Sequence, residues 1–150
     1  MVTLRAIDDG NRDAVLALRV SEAQASFVSS VGESLQETID EPGGRAIAWA
    51  VYDDDAPVGF VMISDEVDEP GYIAHYLWKL LIDERFQRRG FGTATLDHVV
   101  RYFRDRDVDE MWTSAGQGPG SPIPFYERYG FERTGDVVFD DEVLLRLSIR

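Results

Sequence analysis

The short segment QRRGFG at residues 87–92 separates an apolar run from a stretch with helical periodicity. The preceding run, LWKLLID, is apolar on both faces near its end, which is typical of a strand at the centre of a sheet. The following stretch repeats apolar residues at helical spacing: Phe91, Leu96, Val99, Val100 and Phe103. We therefore predict a central strand, a glycine-containing turn and a helix from about residue 90 to 106.

The N-terminal half predicts one strand, two helices and a hairpin. Residues 2–7, VTLRAI, alternate as a strand does, and Asn11 is placed to begin a first helix. Ser21 and Gln24 have the spacing of a capping box, which predicts a second helix carrying Phe27, Val28 and Val31. The runs RAIAWAVYD and PVGFVMIS, separated by DDDA, then predict a hairpin, and YIAHYLWKLLID a long strand.

The C-terminal half predicts a strand at EMWTSA, a short helix at 123–129, and two closing strands at FERTGDVVF and EVLLRLSI. The full order is β-α-α-β-β-β-α-β-α-β-β. This order predicts an α/β protein, in the sense of a mixed sheet with helices packed on it, and a single domain spanning residues 1–150.

Glycines at the start of a helix let a phosphate approach unpaired N–H groups, and arginines add forked donors. QRRGFG therefore fits a pyrophosphate cradle, although a plain turn with solvated arginines fits the hexapeptide nearly as well. A dinucleotide fingerprint stays open, with Thr95 in place of its third glycine. A P-loop is excluded because it needs Gly-Lys-Ser/Thr, and Lys79, the single lysine, precedes the segment.

Composition narrows the possible partners. A formal net charge of −13 argues against binding nucleic acid and is compatible with a cationic substrate. Without cysteine the chain has neither disulfides nor a thiol nucleophile, and the two isolated histidines do not predict a metal site. No run approaches the ~20 apolar residues that a membrane span needs, so we expect no membrane partner and a cytoplasmic location.

Two segments together resemble the GNAT (Gcn5-related N-acetyltransferase) superfamily. QRRGFG fits its pattern Q/R-x-x-G-x-G/A, and PFYERYGF, further along, fits its F-Y-x-x-x-G-F signature. Three segments are similar to the bacterial spermine/spermidine acetyltransferase-like branch: RVSEAQASFVSSVGESLQETI in the first half, KLLID before the first motif, and FYERYGFERTGDVVFDDEVLLRL at the end of the chain. The resemblance covers the whole chain and implies the GNAT fold with acetyl-CoA as cosubstrate.

The resemblance also implies site residues. The backbone of Leu80, Leu81 and Ile82 would bind the pantetheine arm, and Tyr126 would be the general acid for the departing thiolate. The cradle would consist of Gln87, Arg88, Arg89, Gly90, Phe91, Gly92 and Thr93. Many members carry an asparagine in the loop before F-Y; GQGPGSPIP has none, so Ser121 or backbone groups would substitute.

The acceptor implied by the branch is a small amine, with a polyamine favoured. Glu33 is the predicted acceptor-binding residue, and the base is unassigned, because Trp78 stands where some polyamine enzymes keep an acid. Further acids and aromatic residues are candidates: Glu22, Glu37, Asp65, Glu66, Asp68, Glu69, Phe27 and Trp49. An amino sugar, an amino acid or a protein N-terminus remains an alternative acceptor, as does a non-catalytic acyl-CoA-binding module. A homodimer is also possible.

Overall fold

The computed structural model describes all 150 residues. Its strands are Val2–Ala6 (β1), Ala46–Asp53 (β2), Ala56–Ser64 (β3), Tyr76–Ile82 (β4), Glu110–Ala115 (β5), Glu132–Val138 (β6) and Glu142–Ser148 (β7). Its α-helices are Arg12–Leu16 (α1), Glu22–Ala25 (α2), Val31–Asp40 (α3), Phe91–Arg104 (α4) and Ile123–Tyr129 (α5). Short 3-10 turns lie at Pro42–Gly44 and Glu84–Phe86. None of these helices has the length and apolar content of a bilayer-crossing segment.

All seven strands join one mixed sheet in the order β1-β2-β3-β4-β5-β7-β6. Every neighbouring pair is antiparallel except β4 and β5, which are parallel because α4 crosses over between them. The mixed sheet and the predicted hairpin are confirmed, and β4 occupies the centre of the sheet as predicted.

The two central strands separate soon after they meet. Only Tyr76 with Trp112 and Leu77 with Thr113 pair between β4 and β5. On its other edge β4 pairs with β3, where Trp78 is an extra residue between Leu77 and Lys79. The β5-facing edge of β4 therefore has no strand partner from Trp78 to Ile82.

Two apolar clusters cover the faces of the sheet. The larger joins α4 and α5 to the sheet through residues such as Leu96, Phe103 and Leu145. The smaller joins α1 and α3 to the opposite face through Val15, Val31 and neighbouring strand residues. These helices bury one face each because their apolar residues recur at helical spacing.

Two predicted elements need correction. The second helix is divided: the Ser21–Gln24 capping box is present, but the helix ends at Ala25, because Ser30 and Glu33 form a further capping box that begins α3. The predicted strand from residue 72 begins only at Tyr76, since His75 has a left-handed backbone with φ of 54°.

Candidate active site

The segment after β4 has the geometry of an anion cradle. Gly90 precedes α4 with a left-handed φ of 83°, and a Cβ placed there would meet nothing within 4 Å. The backbone N–H groups of residues 88–93 have no acceptor within the chain. These donors converge where the helix dipole contributes about half a positive charge, so the segment can hold a phosphate group.

A cleft of about 600 Å³, here called the cradle cleft, opens above this segment. Most of the predicted cofactor residues line it: Leu80, Ile82, Gln87, Arg88, Gly90, Phe91, Gly92 and Thr93. Leu81 and Arg89 do not, because Leu81 is buried on the other face of β4 and Arg89 is exposed beside Phe86. For these two residues a role through the backbone or through long-range charge remains a prediction.

Gln87 supports the cradle through its side chain. Its amide nitrogen donates to the Ile82 carbonyl oxygen at 2.8 Å and to the Gln24 side-chain oxygen at 2.8 Å. The sequence predicted a capping role for Gln24 and no contact with the cradle. Ser121 also lines the cleft, and its hydroxyl donates to the Gly116 carbonyl oxygen.

Asp83 fixes the turn between β4 and the cradle. Its carboxylate accepts hydrogen bonds from the N–H groups of Arg19 and Arg85 and from the Arg85 guanidinium. Burial alone would raise the pKa of Asp83, but these donors outweigh it and leave the pKa below its usual value. The carboxylate therefore stays charged and has its hydrogen-bonding capacity occupied, which suits a structural role.

A second cleft of about 490 Å³, here called the acidic cleft, lies beyond the point where β4 and β5 separate. Its walls contain the aromatic side chains Phe27, Tyr72, Tyr76, Trp78 and Phe139, and the acids Glu37, Glu41, Asp141 and Glu142. Lys79 also lines it, at 3.4 Å from the Glu37 carboxylate. With four acids and one lysine, the cleft favours a cationic ligand.

Tyr126 lies where the two clefts meet. It lines both of them, together with Val28, Leu80 and Pro122. The helix α5 places it there with only 6% of its surface exposed. Burial raises the pKa of Tyr126 to about 12, with the Thr113 hydroxyl offsetting part of the rise. The phenol is therefore protonated at neutral pH and able to donate a proton.

The structure separates the predicted acceptor residues. Phe27, Glu37 and Trp78 line the acidic cleft, whereas Trp49 packs against Tyr102 elsewhere. Glu33 does not line it; its carboxylate accepts the Ser30 N–H at 3.1 Å, which lowers its pKa. A substrate-binding role for Glu33 thus remains a prediction, without support from this position.

Sequence reasoning missed several residues of this cleft: Glu41, Tyr72, Tyr76, Phe139, Asp141 and Glu142. Phe139, Asp141 and Glu142 lie in the C-terminal segment that carries the branch resemblance, but the resemblance assigned none of them to the site. They reach the cleft because strand order places β7 next to β5, which is next to β4.

The sequence model described as the acetyltransferase (GNAT) family matches residues 12–131. A spermine/spermidine N(1)-acetyltransferase of Bacillus subtilis is 26% identical, with 96% of each chain covered. The fold matches a crystal structure of a GNAT-family protein from Desulfovibrio desulfuricans with a TM-score of 0.72 and 21% identity, covering 100% of both chains. It also matches the PaiA N-acetyltransferase of Thermoplasma acidophilum in complex with coenzyme A, with a TM-score of 0.67 and 12% identity over 99% of both chains.

Proposed function

Since the chain belongs to the acetyltransferase (GNAT) family, we propose that this acetyl-CoA-dependent N-acetyltransferase acts on a primary amine of a small polyamine. The observation that carries the proposal is the meeting of the cradle cleft and the acidic cleft at Tyr126. One cleft suits a pyrophosphate and the other suits a cation, with a proton donor between them.

The cradle residues fit coenzyme A. Residues 88–93 offer unpaired N–H groups, and Gly90 leaves open space at the phosphate position. The unpaired edge of β4 after Leu77 offers backbone groups to the amides of the pantetheine arm. Bound there, acetyl-CoA supplies an acyl carbon activated by a thiolate leaving group.

Direct transfer follows from the residues present. The chain has no cysteine to carry a thioester, so the amine attacks the acyl carbon without an acyl-cysteine intermediate. Tyr126 then donates its proton to the departing thiolate. A free phenol has a pKa of about 10 and a thiol about 8.5, so transfer of the proton to sulfur is uphill, and the burial that raises the pKa of Tyr126 adds to this cost.

The acidic cleft supports a polyamine over a monoamine. Glu41 and Asp141 stand at different positions around one pocket, so two ammonium groups of one polyamine molecule can each meet a carboxylate. Trp78 and Tyr72, with ring centroids 6.4 Å apart, add faces that attract cations. The Bacillus relative named for spermine and spermidine is consistent with this acceptor.

The test is acetyl-CoA titration by calorimetry, followed by thiol release with a panel of amines. The panel contains spermidine, spermine, butylamine, glucosamine and a short peptide with a free N-terminus. We expect binding, and turnover with kcat/KM highest for the polyamines. A preference for the amino sugar or the peptide would reject the polyamine acceptor, and binding without any turnover would indicate a non-catalytic acyl-CoA-binding module.

A matched pair of variants tests the acceptor site itself. Glu41→Gln removes a carboxylate from the acidic cleft, and Glu132→Gln makes the same change on exposed β6. We expect the first to raise KM for spermidine several-fold and the second to leave it unchanged. Equal effects would mean that overall charge, and not the cleft, attracts the amine.

A further inference from the structure

We propose that Tyr76, Ser114 and Glu142 form a proton relay that serves as the general base, with Tyr76 touching the acceptor nitrogen. This inference rests on the proposed function and assigns the base that the two sequence motifs leave unassigned. It identifies Tyr76 as a catalytic residue, and Ser114 and Glu142 as residues that act through it.

The hydrogen bonds of the three side chains have a defined direction. The Ser114 hydroxyl donates to the Glu142 carboxylate at 2.9 Å, and the Tyr76 and Ser114 hydroxyl oxygens are 2.6 Å apart. Ser114 has one proton, and it points to Glu142. Tyr76 must therefore donate to Ser114, which leaves a lone pair on the Tyr76 oxygen free to accept a proton.

The sheet itself holds the relay in line. Tyr76 pairs with Trp112, two residues before Ser114 on β5, and Ser114 pairs with Leu144, two residues after Glu142 on β7. Side chains two residues apart on a strand share a face, so the three groups form a row across three neighbouring strands. A relay built on strands is positioned more firmly than one built on loops.

The row lies beside the reacting centre. All three residues line the acidic cleft, which Tyr126 also lines. The other titratable groups around this cleft are Glu37, Glu41, Tyr72, Lys79 and Asp141. Burial raises the pKa of Tyr76 far above that of a free phenol, so the side chain stays neutral and passes a proton on without ionising. Glu142 is half-buried and can exchange its proton with solvent after each turnover.

The step balances in atoms and charge. The amine attacks in its neutral form, after its ammonium proton has passed to solvent. Its nitrogen bonds to the acyl carbon while the carbonyl π electrons move to oxygen, and the nitrogen, now acidic, releases a proton to the Tyr76 oxygen. The Tyr76 proton moves to Ser114, and the Ser114 proton moves to Glu142, which becomes a neutral carboxylic acid. The carbonyl then re-forms as the carbon–sulfur bond breaks, and the thiolate takes the proton of Tyr126. The Tyr126 phenolate regains a proton from solvent as Glu142 releases one.

Three variants interrupt the relay at different points: Tyr76→Phe, Ser114→Ala and Glu142→Gln. Tyr102→Phe is the matched control, because it removes a hydroxyl that donates to Asp65 outside both clefts. General-base catalysis contributes about 100-fold or more, so we expect each relay variant to lower kcat about 100-fold. Coenzyme A affinity and KM for the amine should change little, and the control should match the wild type.

A solvent isotope measurement separates proton transfer from a structural role. In mixtures of H2O and D2O, the wild-type kcat should follow a curved dependence on deuterium fraction, because several protons move together. The Ser114→Ala variant should give a nearly linear dependence. Unchanged kcat in the variants, or raised KM alone, would overturn the relay but keep the proposed function. A wild type that acetylates no amine in the panel would overturn both.

Discussion

The side-chain amides of Gln24 and Gln87 hydrogen-bond each other in both directions. Gln87 donates to Gln24 at 2.8 Å, and Gln24 donates to Gln87 at 3.1 Å. Gln24 also completes the capping box of α2, and Gln87 also binds the Ile82 carbonyl oxygen. The pair therefore ties α2 to the cradle and to the end of β4.

Breaking this pair should weaken coenzyme A binding without removing the backbone N–H groups that bind the phosphates. Gln24→Ala removes both hydrogen bonds to Gln87 and the capping hydrogen bond from the Ser21 N–H, each worth about 1 kcal/mol, and part of this loss loosens the cradle. We expect a loss of affinity of about 5-fold by calorimetry. Gln36→Ala is the control, because Gln36 donates to Asp40 on the exposed side of α3. Equal affinities for the two variants would show that the pair does not support the cradle.

Gly90→Glu should abolish coenzyme A binding. The new side chain would occupy the open space beside the cradle and place a carboxylate against the phosphates. The glutamate also costs about 1–2 kcal/mol of stability, because the backbone at Gly90 is left-handed.

Gly135 offers the control for that variant. Its φ is 92°, and a Cβ there also meets nothing within 4 Å, but it lies on β6 away from the cradle cleft. Gly135→Glu should lower the melting temperature similarly and keep coenzyme A binding. If Gly90→Glu still bound coenzyme A, the cradle would have been assigned wrongly.

Tyr126→Phe should lower kcat by about 100-fold or more and leave coenzyme A affinity unchanged, because it removes the proton donor but not the ring. Tyr129→Phe on the same helix is the control, since its hydroxyl donates to Asp97 outside both clefts. A Tyr126→Phe variant with wild-type kcat would exclude the phenol as the acid.

The pH dependence of kcat gives a separate check on Tyr126. A general acid works only while protonated, and burial raises the pKa of Tyr126 from 10 to about 12. Ionisation of this group should therefore not lower kcat as pH rises to 10. A loss of rate centred below pH 10 that disappears in Tyr126→Phe would contradict the buried environment.

Asp83→Asn should destabilise the fold by about 1–3 kcal/mol at pH 7, because the buried acceptor loses its charge while its donors remain. The pKa of Asp83 is lowered in the folded state, so its stabilising effect is present above the unfolded value of about 3.9. This stabilising effect is lost as the pH falls from the unfolded pKa of Asp83 to its lower folded pKa. Denaturant unfolding of both proteins from pH 7 to pH 3 should show their stabilities converging.

The exposed Asp136 provides the comparison for Asp83. Its carboxylate accepts no hydrogen bond, so Asp136→Asn should change stability little at any of these pH values. A constant difference between wild type and Asp83→Asn down to pH 3 would mean that the charge of Asp83 is not what stabilises the turn.

Much of the fold follows from local patterns. The predicted bounds of β5 and α5 match the structure, since both segments carry a clear apolar period and end at glycine or loop residues. The division of α2 from α3 was missed because Ser30 and Glu33 repeat the capping signal of Ser21 and Gln24. With two caps in succession, helical spacing across them does not imply one helix.

The two clefts differ in how much of each could be predicted from the sequence. The turn and helix of the cradle segment were predictable, because its glycines, its arginines and the following helix are contiguous, and its binding of coenzyme A stays a prediction. The acidic cleft was not, because Glu41, Tyr76 and Glu142 come from distant segments. Their proximity depends on β7 lying between β5 and β6, an insertion that no local pattern in those strands encodes.

The early separation of β4 from β5 also has a mechanical meaning. The sheet consists of a four-stranded half and a three-stranded half, joined at the centre by two paired positions and by the apolar cluster beneath α4 and α5. The central strands of a sheet are usually paired along most of their length. Here they are paired at only two positions, so we expect the two halves to separate between β4 and β5 first when the molecule is stretched. The proposed reaction would thus take place where the sheet has its fewest paired positions.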